Sequence, residues 1–241
     1  MFDLDKVKAI ILDYGGTIDS NGVHWAEVIR SAYRALGIVV ERDAFREAYR
    51  YGERLLATSR MALPSHNFRD TLVLKMQAEL GWLSDNKLLP PGCDPAGYAS
   101  DIADWCYGYA GVSVDAARPV LKALYERYPL FLVTNFYGNI HAVLDDFRIR
   151  EFFGGVVESA VVGIRKPDPA IFSLAVELSG FEAKEIAVIG DSFDKDIAPS
   201  ATLGCQTVWL RKTGWEDPEE GQSASLVIND FADLKDAFML R

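Results

Sequence analysis

The chain has 241 residues, of which 49% are hydrophobic and 25% are charged, and these values are typical of a folded globular protein. Its net charge is −10, and a surface this acidic repels the phosphate backbone of nucleic acids. We therefore expect no nucleic-acid partner, although a bound divalent cation would still allow the protein to bind a small anion.

The sequence also argues against a membrane protein. No stretch approaches the roughly 20 uninterrupted apolar residues of a membrane-spanning helix, and the first residues lack a signal-peptide pattern. Cys93, Cys106 and Cys205 are too widely spaced for a disulfide framework or a zinc site. We expect free thiols, no membrane partner and a cytoplasmic location, whereas the sequence does not indicate the oligomeric state.

The first predicted element is a strand. Residues 7–12 are apolar and partly β-branched, which is typical of a strand buried inside a parallel sheet. The strand ends at Asp13 and is followed by the pair Gly15 and Gly16. These residues predict a polar loop directly after a buried strand.

A long helical segment follows this strand. Residues 21–111 contain helical patterns at 25–36, 43–57, 68–80 and 94–109, and no convincing strand. We call this segment the helical insert and predict that it forms an all-helical cap domain, with residues 1–20 and 112–241 forming the core domain. A helical insert at this place suits a lid over the strand ends.

Strands and helices alternate after the insert. Strands are predicted at residues 130–133, 186–189 and 206–210, with a weaker one at 156–162. Helices are predicted at residues 115–125, 168–178, 194–203 and 230–239, and the acidic run 216–220 is expected to form a solvated loop. This alternation predicts an α/β fold with a doubly wound, Rossmann-like parallel sheet.

Polar residues follow several of the predicted strands. Asp13 follows the first, Thr134 and Asn135 follow the second, Asp191 and Ser192 follow a later one, and Lys166 precedes a predicted helix. Each has an ordinary explanation when taken alone, since a strand-end aspartate can cap a helix and a Thr-Asn pair can form a turn. Because ligands bind beyond the carboxyl ends of parallel strands, their combined placement favours one site.

Four motifs, in this order, resemble those of the haloacid dehalogenase-like superfamily. They are Asp13-Tyr14-Gly15-Gly16-Thr17, Val133-Thr134-Asn135, Arg165-Lys166-Pro167 and Gly190-Asp191-Ser192-Phe193-Asp194-Lys195-Asp196. The resemblance spans nearly the whole chain, with the helical insert standing where the family carries its cap. It implies an enzyme, a Mg²⁺-dependent hydrolase that acts on a small phosphorylated metabolite.

The resemblance assigns roles to four residues in phosphate chemistry. Asp13 would be the nucleophile and would form an aspartyl-phosphate, as carboxylates do in phosphoryl transfer. Thr134 and Asn135 would bind the phosphate, and Lys166 would neutralise both the nucleophile and the transferring group.

The resemblance also implies a metal site. Asp13, the backbone carbonyl of Gly15 and Asp191 would be the ligands of Mg²⁺, which prefers hard oxygen atoms. Ser192 and Asp196 would lie next to the ligands and would orient the lysine or a metal-bound water. Asp196 is preferred over Asp194 because its spacing from Asp191 matches a common form of the family.

Gly15 departs from the pattern of the family's phosphatases, which generally carry a second aspartate there. That aspartate protonates the leaving oxygen and then activates the water, and losing such a group costs ~10²–10⁴-fold in rate. Four explanations stay open. His24, Glu27 or His66 supplies the proton; the leaving group needs no acid; the protein cleaves phosphonates through Lys75 or Lys87; or it binds a phosphorylated ligand with little turnover.

Overall fold

A six-stranded sheet forms the centre of the protein in the computed structural model, which describes residues 2–212 and 223–240. The strands are β1 (Ala9–Leu12), β2 (Leu130–Thr134), β3 (Phe153–Glu158), β4 (Ile186–Gly190), β5 (Gln206–Leu210) and β6 (Leu226–Ile228). Their order across the sheet is β3-β2-β1-β4-β5-β6, and all neighbouring pairs are parallel. Because β1 lies inside the sheet, all of its residues are buried.

Four helices connect β1 to β2. They are α1 (Trp25–Ala35), α2 (Arg42–Thr58), α3 (Phe68–Asp85) and α4 (Pro95–Tyr125). Shorter helices follow in the described residues, namely α5 (Ile140–Asp146), α6 (Ser159–Val162), α7 (Ala170–Ser179), α8 (Ala198–Thr202) and α9 (Leu234–Ala237). The predicted α/β fold with a parallel sheet is confirmed, whereas the division into core and cap domains stays a prediction.

Capping residues fix where the helices of the insert begin. His24 accepts a hydrogen bond from the Ala26 N–H at the start of α1, and Asn67 and Asp70 form a reciprocal capping box at the start of α3. Asp94 caps α4, whose first residue is a proline. These side chains satisfy N–H groups that have no partner inside the helix, so the predicted starts agree closely with the observed ones.

The structure differs from the sequence prediction in several stretches. The weaker strand predicted at 156–162 lies at Phe153–Glu158 and is followed by α6. Its start was missed because Gly154 and Gly155 are not typical strand residues. Helix α5 and strand β6 were not predicted, since both are too short to show a clear period. The helices predicted at 94–109 and 115–125 form the single helix α4.

Apolar clusters cover both faces of the sheet. Ile10 and Leu12 pack into a large cluster that continues into the helical insert, while Ala9 and Ile11 pack on the opposite face against residues of α7. This alternation leaves the carboxyl ends of the strands free to carry polar loops. No helix in the described part of the chain is both long enough and apolar enough to cross a membrane. Cys93, Cys106 and Cys205 are free thiols, and the acidic run 216–220 lies outside the described residues.

Candidate active site

The carboxyl ends of β1, β2 and β4 meet at a cavity of about 180 Å³ between the sheet and the helical insert. Asp13 comes directly after β1, Thr134 is the last residue of β2, and Asp191 comes directly after β4. The cavity is lined by every residue that the sequence predicted for the site, namely Asp13, Gly15, Thr134, Asn135, Lys166, Asp191, Ser192 and Asp196.

Lys166 joins two of the predicted carboxylates. Its buried Nζ donates to Asp13 Oδ1 at 2.5 Å and to Asp196 Oδ1 at 2.7 Å, and it also lies 3.3 Å from the Val133 carbonyl. Although burial disfavours the ammonium, the Asp13 and Asp196 carboxylates raise the pKa of Lys166 above its ordinary value. The lysine is therefore a fixed positive charge against the predicted nucleophile.

Asp13 is held through both of its carboxylate oxygens. Its Oδ2 accepts from Thr17 Oγ1 at 3.0 Å, while Oδ1 is bonded to Lys166. The Thr17 hydroxyl also lies 3.2 Å from Asp191 Oδ1, and its single proton can serve only one carboxylate at a time. Burial raises the pKa of Asp13 to about 6, with Lys166 opposing that rise and Asp196 adding to it. The sequence prediction gave Thr17 no role of its own.

The glycines of the motifs leave room for the carboxylates. Gly16 has a φ of +98°, and a Cβ there would lie 2.4 Å from Asp191 Oδ2. A Cβ at Gly190 would lie 2.4 Å from the Cβ of Asp196. Any larger residue at either position would displace a carboxylate, so these glycines are needed for close packing of the acidic side chains.

The donor set fits a divalent cation. Carboxylate oxygens of Asp13, Asp191 and Asp196 lie within 4.8 Å of one another. Burial and the charges of Asp13 and Asp196 raise the pKa of Asp191 well above its ordinary value. Among the described residues, Lys166 is the one lysine in ion-pair contact with this cluster, so three ionised carboxylates would leave two negative charges without a directly bonded cation. Mg²⁺ would balance this charge with the hard oxygen ligands that it prefers.

Backbone hydrogen bonds position Lys166 and Asp196. Asn135 holds the lysine backbone from both sides, since its Oδ1 accepts from Lys166 N at 2.9 Å and its Nδ2 donates to Lys166 O at 3.0 Å. Asp196 Oδ2 accepts from Ser192 N at 3.0 Å at the start of a wide helical turn, Phe193–Ile197. Asp194 in the same turn is exposed. The contact between Asn135 and the lysine backbone was not anticipated from the sequence.

A buried carboxyl fixes the loop after Asp13. Asp19 Oδ1 accepts from the Gly16 N–H at 2.7 Å and from Trp25 Nε1 at 3.0 Å, which ties the loop to helix α1. Burial raises the pKa of Asp19 to about 8, even though these hydrogen bonds favour its charged form. The loop that carries Gly15 is therefore anchored to the first helix of the insert.

The opposite wall of the cavity comes largely from the helical insert. Lys75 of α3 forms an ion pair with Glu53 Oε1 of α2, and its Nζ lies 4.4 Å from the centre of the Tyr49 ring. Tyr137, in the loop after β2, donates from its hydroxyl to the same Glu53 oxygen at 3.1 Å. Sequence reasoning missed Glu53, Tyr49 and Tyr137, and it named Lys75 only as a candidate for phosphonate cleavage.

One feature of the sequence indicated this wall of the cavity, namely a charged residue on the apolar face of a predicted helix. Lys75 and Glu79 lie on the buried face of α3 with Leu72, Met76 and Leu80. Charged side chains are almost never fully buried unless they are paired. Their position on this face indicated a buried polar group, although the sequence did not show which helix would supply the partner.

The structure places only one of the three proton-donor candidates at the cavity. His24 lines it, whereas Glu27 and His66 do not. Burial, together with the nearby Lys195, lowers the pKa of His24 to about 4, so its imidazole is neutral at pH 7 and is a weak proton donor there. A Cβ at Gly15 would meet nothing within 4 Å. A side chain at this position therefore has open space at its Cβ.

Known proteins resemble this chain in sequence and in fold. A family model described as haloacid dehalogenase-like hydrolase matches residues 7–204. Haloacid dehalogenase-like hydrolase domain-containing protein 3 of Mus musculus is 30% identical over 74% of this chain and 71% of the relative. Glyceraldehyde 3-phosphate phosphatase of Methanocaldococcus jannaschii is 34% identical over 36% of this chain, and the match spans only 39% of that relative. The magnesium-bound structure of the HAD-hydrolase YfnB from Bacillus subtilis covers 96% of this chain and 98% of its own, with a TM-score of 0.60 and 16% identity, which supports the fold alone.

Proposed function

The chain belongs to the haloacid dehalogenase-like hydrolase family, and from that premise we propose that it is a Mg²⁺-dependent phosphatase of small phosphorylated metabolites. The observation that carries the proposal is the Asp13 carboxylate, held by Lys166 and Thr17 on the floor of the cavity. Phosphatase relatives support the class of reaction. A cytoplasmic location stays a prediction.

The first step is attack by Asp13 on phosphorus. A bond forms between a carboxylate oxygen and phosphorus, and the bond to the leaving oxygen breaks, which gives an aspartyl-phosphate. Lys166 would reduce the repulsion between the carboxylate and the phosphate, and Thr134, which ends β2 and lines the same cavity, would donate to a phosphate oxygen. Asn135 keeps the lysine in position through its two backbone hydrogen bonds.

Asp13, the Gly15 carbonyl and Asp191 would hold the metal ion, with Asp196 beside them. When bound, Mg²⁺ supplies positive charge between the nucleophile and the phosphate, where the buried carboxylates alone are repulsive. Asp196 is already bonded to Lys166 and to the Ser192 N–H, so we assign it a positioning role.

Gly15 sets the expected rate. Gly15 supplies no carboxylate to protonate the leaving oxygen in the first step or to deprotonate the attacking water in the second step. We expect the second step, hydrolysis of the aspartyl-phosphate, to be slow by ~10²–10⁴-fold relative to an enzyme with the aspartate. Substrates whose leaving group needs no proton are expected to react fastest in the first step.

The two alternatives are less well supported. Phosphonate cleavage requires a lysine with a free lone pair, whereas the Lys75 ammonium is ion-paired with Glu53. A protein that only binds phosphorylated ligands does not require a nucleophile, a neutralising lysine and a carboxylate cluster in contact with one another. Binding without turnover predicts that no phosphoryl group is transferred to Asp13.

The test is intact-protein mass spectrometry after incubation with acetyl phosphate and Mg²⁺. We expect the wild-type protein to gain one phosphoryl group and Asp13→Asn to gain none. Gly15→Asp fits the open space at this position and is expected to clear the adduct and to raise phosphate release. If neither the wild type nor Gly15→Asp forms an adduct or releases phosphate, the proposed function is wrong.

A further inference from the structure

Glu53 presents a carboxylate oxygen that no described residue binds. Its Oε1 accepts from both Lys75 and Tyr137, while no donor among the described residues bonds to Oε2. The Glu53 side chain is 35% exposed and lines the cavity, whereas that of Lys75 is only 8% exposed. The free oxygen therefore belongs to a side chain that opens into the space above Asp13.

The carboxylate of Glu53 is kept in its charged form. Although burial disfavours the charge, Lys75, the more distant Lys195 and the Tyr137 hydroxyl hold the pKa of Glu53 below its ordinary value. An ionised carboxylate only accepts hydrogen bonds, so the complementary group must be a donor. Two contacts, from Lys75 of α3 and from Tyr137 in the loop after β2, fix its position.

The surrounding charges select among possible donors. Lys75 already neutralises Glu53, and Lys195 at the cavity adds a further positive charge. An ammonium group placed here would be attracted by Glu53 but repelled by both lysines, and a second carboxylate would be attracted by the lysines but repelled by Glu53 itself. A neutral hydroxyl can donate to Glu53 Oε2 without adding charge, and the cavity of about 180 Å³ limits the carbon part to a few atoms.

We propose that Glu53 is a specificity-determining residue that selects phosphomonoesters carrying a hydroxyl group on a small, uncharged carbon part. The inference rests on the proposed function for the position of the phosphate at Asp13. A site built to bind a hydroxyl rejects an analogue that lacks it, because the analogue covers the acceptor and supplies no donor in place of water. The selection is made by the helical insert, whereas the chemistry is carried out at the strand ends.

The kinetic test compares three small phosphomonoesters of similar size. They are glycerol 3-phosphate with hydroxyl groups, propyl phosphate with none, and 2-aminoethyl phosphate with an ammonium. We expect kcat/KM for glycerol 3-phosphate to exceed that of the other two by at least about tenfold, mainly through KM. In Glu53→Gln we expect this ratio to fall about tenfold, because the amide replaces the charged acceptor.

Matched variants separate this role from general damage. Glu47→Gln removes an exposed carboxylate on the same helix and is expected to keep the wild-type ratio. Tyr137→Phe removes one of the anchors of Glu53 and is expected to reduce the ratio by less than Glu53→Gln does. Equal kcat/KM values for glycerol and propyl phosphates in the wild type, or a preference for the amine, would overturn the inference.

A binding measurement keeps the two proposals distinguishable. Calorimetric titration of the Asp13→Asn protein with the same three compounds needs no turnover. Tighter binding of glycerol 3-phosphate than of propyl phosphate, lost in the Asp13→Asn/Glu53→Gln double variant, would support the inference even if no phosphoryl adduct forms. An adduct on Asp13 without any preference in binding would uphold the proposed function and overturn the inference.

Discussion

Two buried lysines, one at the strand ends and one in the helical insert, have different partners for their ammonium groups. Lys166 and Lys75 are both 6% exposed. Lys166 is bonded to Asp13, Asp196 and a backbone carbonyl, whereas Lys75 has one carboxylate, that of Glu53, and an aromatic ring. The first arrangement fixes the proposed nucleophile, and the second fixes a carboxylate with one oxygen that accepts no hydrogen bond from the described residues.

The insert contains a further buried carboxyl group, which is neutral because it is protonated and not because it is paired with a cation. Glu79 is fully buried on the same face of α3 as Lys75, and neither of its oxygens has a hydrogen-bond partner within the described part of the chain. Burial raises its pKa to about 8, with Lys75 opposing that rise and Glu53 adding to it. The insert therefore holds a neutral acid beside the ion pair of Lys75 and Glu53.

The largest effect is expected from removing Lys166. Lys166→Met leaves Asp13 and Asp196 without their counter-charge and should lower kcat by ~10²–10³-fold. It should also lower the free energy of unfolding by about 3–5 kcal/mol, the usual cost of breaking a buried ion pair. Steady-state kinetics and urea unfolding measure the two effects. Lys75→Met should act mainly on KM, and an equal loss of kcat in both variants would remove the distinction between the two lysines.

The second prediction concerns the pH dependence of stability. Glu79 has a pKa of about 8 in the folded protein against an ordinary value of 4.5, so the unfolded chain releases its proton first as the pH rises. This lowers the free energy of unfolding relative to Glu79→Gln by up to about 1.4 kcal/mol per pH unit, until the folded pKa is reached. Between about pH 5 and pH 7 we expect a relative loss of about 2–3 kcal/mol by this linkage.

Urea unfolding of the wild type and of Glu79→Gln at these two pH values measures that loss. Glu177→Gln, which changes an exposed glutamate on α7, controls for a change of net charge alone. A constant difference between the wild type and Glu79→Gln from pH 5 to pH 7 would show that Glu79 is ionised in the folded protein.

The smallest effect is expected at Thr17. Thr17→Val removes the hydroxyl that lies between Asp13 and Asp191 but keeps the shape of the side chain. The loss of one hydrogen bond costs about 0.5–1.5 kcal/mol, so the rate of adduct formation should fall by roughly three- to tenfold. Thr17→Ser keeps the hydroxyl, so its rate of adduct formation should fall less than that of Thr17→Val. An adduct rate unchanged in Thr17→Val would show that the hydroxyl does not orient the nucleophile.

The residues of the strand-end cluster could be predicted because chain topology alone brings them together. Asp13, Thr134 and Asp191 each end or follow a strand of one parallel sheet, so neighbouring strand ends meet whatever the side chains do. The prediction needed only apolar runs that end in polar residues. The precise contact of Asn135 with the lysine backbone was not predictable, because it depends on the shape of two loops.

The residues of the insert wall could not be predicted in this way. Glu53 and Lys75 lie on two different helices, and helical periodicity shows which face is buried but not which helices pack together. Tyr137 lies outside the insert, in the loop after β2, and contacts Glu53 from there. Their meeting is a result of tertiary packing.

Helix α4 also gives the insert a mechanical connection to the sheet. The helix has 31 residues, packs along α3 in the insert and ends shortly before β2. Pro119, near its carboxyl end, lacks the N–H of a regular helical hydrogen bond and is a natural point for bending. Pro95 lies about 36 Å from Pro119 along the axis, so a tilt of about 5° would move it by about 3 Å. A bend of this size at Pro119 would move α3 and α2, which pack in sequence on α4, and would thereby change the distance between Glu53 and Asp13.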